Sequence, residues 1–456
     1  MLSLLSVLAT VLTVASCSAK PAGGVNWAWV GAVTDTSAVV IADVANPALA
    51  RSARLSVATL DGTARNFRPD PTPEAPEVAP ELRPSPTRVR FTVTGLVPAT
   101  QYNWRIAFPS PGTQPQPRSG GFRTFTQPGR PTGFSFALGS CMQTGTTSPV
   151  FTTIASKRPL FMLFTGDFHY QDIKDNRVAT FEAAVGRQLV SPTVSQLLAT
   201  TPVAYVWDDH DFGPNDSDSA SPSRVASAIA LRSLVPHYPL PDATAAYQAF
   251  TLGRVRFVLA DLRSERVRPA TRPAPGVGEV AGAVGTMISD AQLAWLKREI
   301  LESSKSHAVV FFVSSVPWID SGTSRDSWAG YRTQRRELSE FLRDNKIANL
   351  AILSGDAHMI ALDDGTNSSF TVPPTPPGPP VFQAGSLDQN PSQKGGPYSH
   401  GAFPERHQFG LVTVQDNGAD VRVVFSGRNA ADKEIVRYEW SPAAAPAAAP
   451  TTAPSK

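Results

Sequence analysis

The rhythm of apolar and polar positions changes once along the chain. Up to about residue 126, WAWVGAVTDTSAVVIADV (from Trp27), RLSVATLDG (from Arg54), RVRFTVTGLVPATQYNWRIAF (from Arg88) and GGFRTFTQP (from Gly120) alternate with a period of two. Gly, Pro and Asp punctuate them. This predicts strands with one buried face, hence a small antiparallel sandwich without a convincing helix. From Phe134 onward, short and nearly continuous apolar runs take over: FSFALGSC, LFMLFTGD, VAYVWDDHD, VRFVLADLR, AVVFFVSSVPW and ANLAILSGDAH. Such runs predict strands covered on both faces. Between them RVATFEAAVGRQLVSPTVSQLLA and DAQLAWLKREILESS carry helical periodicity, so this part is an α/β domain.

The expected organisation is therefore a β-rich unit over residues 24–128 and an α/β unit over residues 133–430. Within the first, GLVPATQYNWRI resembles the fibronectin type III pattern, with Tyr102 as its corner tyrosine. The Pro-rich stretch Pro69 to Pro86 is a loop, and Pro128 to Gly133 a hinge. Past Asp364, TVPPTPPGPP is a loop and FGLVTVQDNGADVRVVFSGR a final hairpin. The Ala/Pro-rich tail over residues 441–456 has too little apolar area to offset its ordering entropy.

Residues 1–17 read as an export signal, because MLSLLSVLATVLTVAS is too short and too closely followed by polar chain to span a membrane. Val14-Ala15-Ser16-Cys17 resembles a bacterial lipoprotein cleavage box, which would lipidate Cys17 and anchor the protein to a membrane. No Lys or Arg precedes the run, so ordinary cleavage and secretion stand beside that reading. With Cys17 lipidated, Cys141 has no disulfide partner, since the chain holds two cysteines. Apolar residues at 41% and charged residues at 17% describe an ordinary folded protein. The net charge of +3, with no basic run, argues against nucleic acid as a partner. A monomer is expected.

Strand ends carry the candidate chemistry. In an open α/β sheet, ligands bind beyond the carboxyl ends of the strands, and there stand Cys141 in GSC, Asp167 and Tyr170 in GDFHY, Asp208 to Asp211 in WDDHDFGPND, and Asp356 and His358 in GDAH. Each piece alone has a structural explanation: a Gly-Asp after a strand is usually a turn, and a lone buried cysteine usually a small hydrophobe. Together they do not, because clustered carboxylates repel one another unless a cation lies between them. Two metals with oxygen and nitrogen ligands can clamp a phosphoryl group and present a water to it. Asp167 is the candidate bridge, with the preceding Gly166 expected to leave room for metal and substrate.

At this point the chain resembles the PhoD-like alkaline phosphatases of the calcineurin-like metallophosphatase superfamily. WDDHDFGPNDSD is the most specific motif, with GSC, GDFHY, DSWAGY and SGDAH in the expected order. The resemblance implies a metallophosphatase-type αββα sandwich and a site of ferric iron and calcium. Cys141 and Tyr170 would bind iron as thiolate and phenolate, Asp167 would bridge, Asp209, Asp356 and His358 would complete the site, and Asn215 would serve calcium. Family members often carry an acidic residue after the tyrosine; here it is Gln171.

His210, set among carboxylates, is the expected catalytic group, contacting the phosphate or protonating the leaving oxygen. Arg263, Arg325, Trp328 and Tyr331 are candidate substrate contacts, although surface ion pairing explains either arginine alone better and apolar packing explains Trp328 and Tyr331 equally well. The expected activity is hydrolysis of phosphate monoesters or diesters. Its alternatives are a cell-surface binding protein on a metallophosphatase scaffold, and a metal-dependent hydrolase of a non-phosphate substrate.

Overall fold

The computed structural model describes residues 23–71, 79–109, 115–269, 285–320 and 324–442. The leader, Cys17 and the tail from residue 443 lie outside the described residues. Two large sheets face each other. The seven-stranded sheet runs, in spatial order, Gln248–Leu252, Val255–Leu259, Val309–Ser314, Leu350–Ser354, Val381–Ala384, Ile360–Asp363 and Ala402–Phe403. Its four central strands are parallel.

The apolar runs of these strands face two ways. In Val309–Ser314, Phe311 and Val313 join the core between the sheets. Val310 and Phe312 pack with Leu293, Leu296 and Ile300 of the helix Asp290–Ser306. Full burial of each such side chain contributes roughly 1.5–3 kcal/mol, so an alternating pattern would forfeit one face. Across the interior, Phe136 meets Phe257 and Phe311 edge-on at 5.3 and 5.6 Å. The helix Asp290–Ser306 starts where the Ser289 side chain accepts the N–H of Gln292.

The other large sheet has nine strands: Glu434–Trp440, Val421–Asn429, Gln408–Asp416, Phe134–Gly139, Met162–Thr165, Val203–Val206, Val25–Gly31, Ala38–Val44 and Arg88–Val93. The last three belong to the β-rich front part, so the expected separation is incomplete. A parallel pairing of Gly31 with Val203 joins them to the α/β sheet. Their companions form a separate four-stranded sheet, Ala64–Phe67, Arg54–Thr59, Gln101–Ala107 and Arg118–Arg123. A short helix, Pro47–Ser52, and a single 3-10 turn, Pro80–Leu82, interrupt the strands of the front part.

The stretch read as one helix from Arg177 divides into Val178–Leu189 and Pro192–Thr200. Pro192 lacks the N–H that a helix interior needs, so a new helix starts there with the proline in its first turn. Among the described residues, three helices of seven residues or more escaped the sequence reading, Val150–Ser156, Arg224–Leu234 and Arg332–Asp344. Among the described residues, no helix is long and apolar enough to cross a membrane.

Candidate metal centre

The carboxyl ends of parallel strands from both sheets converge on one place. Cys141 follows Phe134–Gly139, Asp167 follows Met162–Thr165, Asp208 and Asp209 follow Val203–Val206, and Asp356 follows Leu350–Ser354. Cys141, Asp167 and Asp356 hold left-handed backbones, with φ of 63°, 54° and 63°. Such values cost a non-glycine residue about 1–3 kcal/mol and gather where function fixes the side chain. Gly166 between them has φ of 92°, and a Cβ there would lie 2.3 Å from Asp208 Cβ. The glycine thus makes room for the neighbouring aspartate, not for a ligand.

Around Asp167 the donor atoms are close. Tyr170 Oη donates to Asp167 Oδ2 at 2.7 Å and lies 3.0 Å from His358 Nε2. The Cys141 thiol is 3.6 Å from the same carboxylate oxygen. The His210 main-chain N–H points at Asp167 Oδ1 from 3.4 Å, and the His210 ring lies over Tyr170 with centroids 4.0 Å apart. Asp172 Oδ1 sits 2.9 Å from His210 Nδ1. His358 has its Nδ1 2.6 Å from the Asn390 carbonyl, which fixes that nitrogen as the donor and leaves Nε2 with its lone pair toward Tyr170.

Buried carboxylates here lack compensation. Burial, then the charges of Asp209, Asp208, Asp211 and Asp356, push the Asp167 carboxyl well above its ordinary range. Burial does the same to Asp356 against the pull of Lys394. The Cys141 thiol and Tyr170 phenol are raised by burial first and by Asp167 second. Buried oxygens Asp208 Oδ2, Asp209 Oδ1 and Asp356 Oδ2 have no hydrogen-bond partner. Unpaired buried acceptors are costly, and hard cations among them would satisfy all three and lower every raised group. The donor set therefore fits metal ions.

Asp209 differs from Asp167. Burial opposes its charge, but Arg263, His210 and the Asp216 N–H, 2.6 Å from Oδ2, hold its carboxyl below the usual range. Asp211 accepts the N–H groups of Phe168 and Asp208 at 2.8 and 3.0 Å, and burial still raises it to about 7. Asp208 and Asp211 thus serve loop amides and a neighbouring arginine. His169 is buried, and burial together with His210 lowers it to about 3.

Three of the expected substrate contacts need correction. The Arg263 guanidinium is fully buried, 2.6 Å from Asp208 Oδ1 and 2.5 Å from Asp326 Oδ1, so its charge is held by carboxylates beneath the surface; its Nη2, 3.7 Å from Asp209 Oδ1, has no hydrogen-bond partner. Trp328 is buried, with Nε1 donating to Ser314 Oγ at 3.1 Å. Tyr331 is also buried, under Arg266 with the guanidinium 5.5 Å from its ring. DSWAGY therefore serves packing, and its Asp326 is the charge partner of Arg263. Arg325 is exposed. Asn215 is exposed too, its main-chain N–H donating to Asp172 Oδ1 at 3.0 Å.

Residues missed in the sequence include Asp172, Asp326, the Asn390 carbonyl and Lys394, whose Nζ is 2.6 Å from Asp356 Oδ1. Only Asp326 lay inside a motif already singled out; the other three occupy loops without periodicity.

Residues 136–382 match the family model of the PhoD-like phosphatases. Alkaline phosphatase D of Bacillus subtilis (strain 168) is 28% identical over 189 residues, which are 35% of this chain and 31% of that protein. The aligned stretch thus spans about a third of that relative. A solved structure of PhoD superposes with a TM-score of 0.69 at 16% identity, covering 92% of both chains. The purple acid phosphatase PPD1 from yellow lupin (Lupinus luteus) seeds superposes with a TM-score of 0.63 at 11% identity, over 95% of this chain and 78% of that one. Identities this low speak for the fold alone, and the fold they share is the mixed α/β arrangement of facing sheets. The family match spans more than half of the 456 residues and contains all the converging strand ends, so the chain belongs to the PhoD-like phosphatase family.

Proposed function

We propose that this protein hydrolyses phosphate esters at a two-metal site held by Cys141, Asp167, Tyr170, Asp209, Asn215, Asp356 and His358. One observation carries the reading: among the described residues, Asp167 belongs to three of the four groups of side chains whose donor atoms lie within 4.8 Å of one another. Such a position suits a ligand shared by two ions. Metals bound there would polarise the phosphoryl group and supply a hydroxide at neutral pH. The chain's own groups set the geometry around them. Asp172 Oδ1 lies 2.9 Å from Nδ1 of His210 and the Tyr170 ring lies against it, an arrangement that would let the other ring nitrogen give a proton to the leaving oxygen. This makes His210 the general acid.

The metals we infer are Fe3+ on the Cys141 side and Ca2+ on the Asp209 side. Thiol and phenol are both raised by burial, so a highly charged ion is needed to hold them ionised. Asp209 offers a buried carboxylate oxygen, Oδ1, without a hydrogen-bond partner, a hard donor of the kind that suits calcium.

We further infer a fibronectin III-like sandwich over residues 24–128 ahead of a catalytic unit over residues 133–430. Its support is the split into three and four strands, and the Tyr102 hydroxyl accepting the Val97 N–H at 2.9 Å in the manner of a tyrosine corner. Export, with lipidation at Cys17, is supported by the apolar run at residues 1–16. Replacement of Cys17 by Ser should release the protein from membranes.

The test is metal analysis of purified protein with assays on p-nitrophenyl phosphate and its bis-ester. Bound iron with a visible tyrosinate band, and activity abolished in Asp167→Ala, are expected. Protein that stays inactive after iron and calcium are supplied would overturn the reading.

A further inference from the structure

We propose that Lys394 grips the phosphoryl group of the substrate and biases the site toward monoesters. The inference rests on the phosphate-ester reading above. Its motive is a gap left by the correction of Arg263. A site of this charge needs a cation that can reach an incoming anion, and both nearby arginines are committed. Arg263 is fully buried against Asp208 and Asp326, and Arg266 is bound to Asp326 at 2.6 Å.

Lys394 is placed differently. Its Nζ lies 2.6 Å from Asp356 Oδ1, yet its side chain is 37% exposed where that of Asp356 is 4% exposed. It therefore reaches a candidate ligand from the solvent side. An ammonium has three donors, and Asp356 takes one. Among the described residues the other two meet no second acceptor, which leaves them for phosphoryl oxygens. The other oxygen of Asp356, Oδ2, is buried without a partner and stays available to a metal. Asp356 can thus serve two cations at once, and Lys394 need not leave when metal arrives.

The loop that carries Lys394 is built to hold it. Ser392 N–H donates to the His358 carbonyl at 3.2 Å, and Gly396 N–H to the Ile319 carbonyl at 3.3 Å. Gly395 between them has φ of 76°, and a Cβ there would stand 2.2 Å from the Ile319 oxygen, so the chain can turn back toward Asp356 only at a glycine. The same loop supplies the Asn390 carbonyl that orients His358. One segment therefore positions a candidate metal ligand and delivers the exposed cation. A point charge beside the metals attracts a monoester, which carries about two negative charges at neutral pH, more than a diester, which carries one.

The experiment compares metal-loaded wild-type protein with Lys394→Met and Lys394→Arg. It measures metal content, the inhibition constant of inorganic phosphate, and kcat and KM for p-nitrophenyl phosphate and its bis-ester. Loss of one charge-assisted hydrogen bond predicts, for Lys394→Met, phosphate binding weaker by about tenfold and a monoester KM raised by about tenfold. Expected alongside are a smaller change for the bis-ester, unchanged metal content, and recovery in Lys394→Arg. An unchanged phosphate constant, or equal losses on both esters with loss of metal, overturns the proposal: Lys394 then only braces Asp356. Wild-type protein that cleaves neither ester overturns the phosphate-ester reading and this inference together.

Discussion

Side by side at the strand ends lie two sets of buried acids with opposite electrostatics. Around Asp167, the carboxyls of Asp167 and Asp356 are raised by burial and by neighbouring carboxylates, and Lys394 touches Asp356 alone. Around Arg263, two guanidinium groups meet Asp326, and one of them also meets Asp208 and approaches Asp209 to 3.7 Å. Burial still works against Asp326, but Arg263 and Arg266 hold it below the usual carboxylate range. Asp208 lies between the two behaviours, raised by burial despite Arg263. The difference separates acids that need an added cation from acids whose cation is built into the chain. Clustered carboxylates therefore mark a metal centre only after the local arginines have been assigned.

The largest test of that division is Asp167→Asn. If the Asp167 set exists to hold metal, the variant loses both metal and activity, by roughly a thousandfold for the several kcal/mol of charge stabilisation forgone. In chelator its stability should equal or exceed that of wild type, because a repelled buried charge has gone. Urea denaturation in EDTA measures this, and a destabilised chelated variant would break the comparison.

Arg263→Met should behave in the reverse manner. Removing the built-in cation leaves Asp208 and Asp326 buried without full compensation, a loss of about 3–5 kcal/mol. Chelator should not change that loss. Adding Asp208→Asn to Arg263→Met should restore part of it, since the paired positions couple. A smaller effect is expected from Ser315→Ala, which removes the hydroxyl donor 2.7 Å from Asp208 Oδ1 and should cost about 1.5–3 kcal/mol in the same assay.

How much of this was legible in the sequence follows from range. Cys141, Asp167, Asp209, Asp356 and His358 each sit at the end of an apolar run, so a local pattern located them, and the sheets bring the runs together. Asp326 and Arg263 are 63 positions apart, and no period links them. Read alone, Arg263 looked like a substrate contact, and Asp326 carried no reading of its own. Lys394 and Asn390 lie on a loop whose path depends on a contact with Ile319, about which a local pattern is silent. The front strands were legible as strands by their alternation. Their entry into the nine-stranded sheet was not, because it rests on the distant pairing of Gly31 with Val203.

The smallest effect, in pH, distinguishes the two sets by sign. A carboxyl raised in the folded state holds a proton that the unfolded chain has released. Its contribution to stability is full below the ordinary carboxylate range and is lost as pH rises through the raised value. Asp167 and Asp356 are raised, and Asp211 to about 7, so metal-free protein should gain stability when pH is lowered from about 8.5 to about 7. Asp209 and Asp326 are lowered; their contribution is lost only as pH falls below the ordinary range, so they are silent in this window. His169 and His358, lowered by burial to about 3 and about 4, add little there, since unfolded histidine takes up protons mainly below about 6.5. Metal reverses the sign, because binding requires deprotonated ligands and weakens as pH falls. Melting temperatures at the two pH values, with EDTA and with metal, should therefore shift by a few degrees in opposite directions. Equal signs in both conditions would mean that the Asp167 set is compensated from within the chain, as the Arg263 set is.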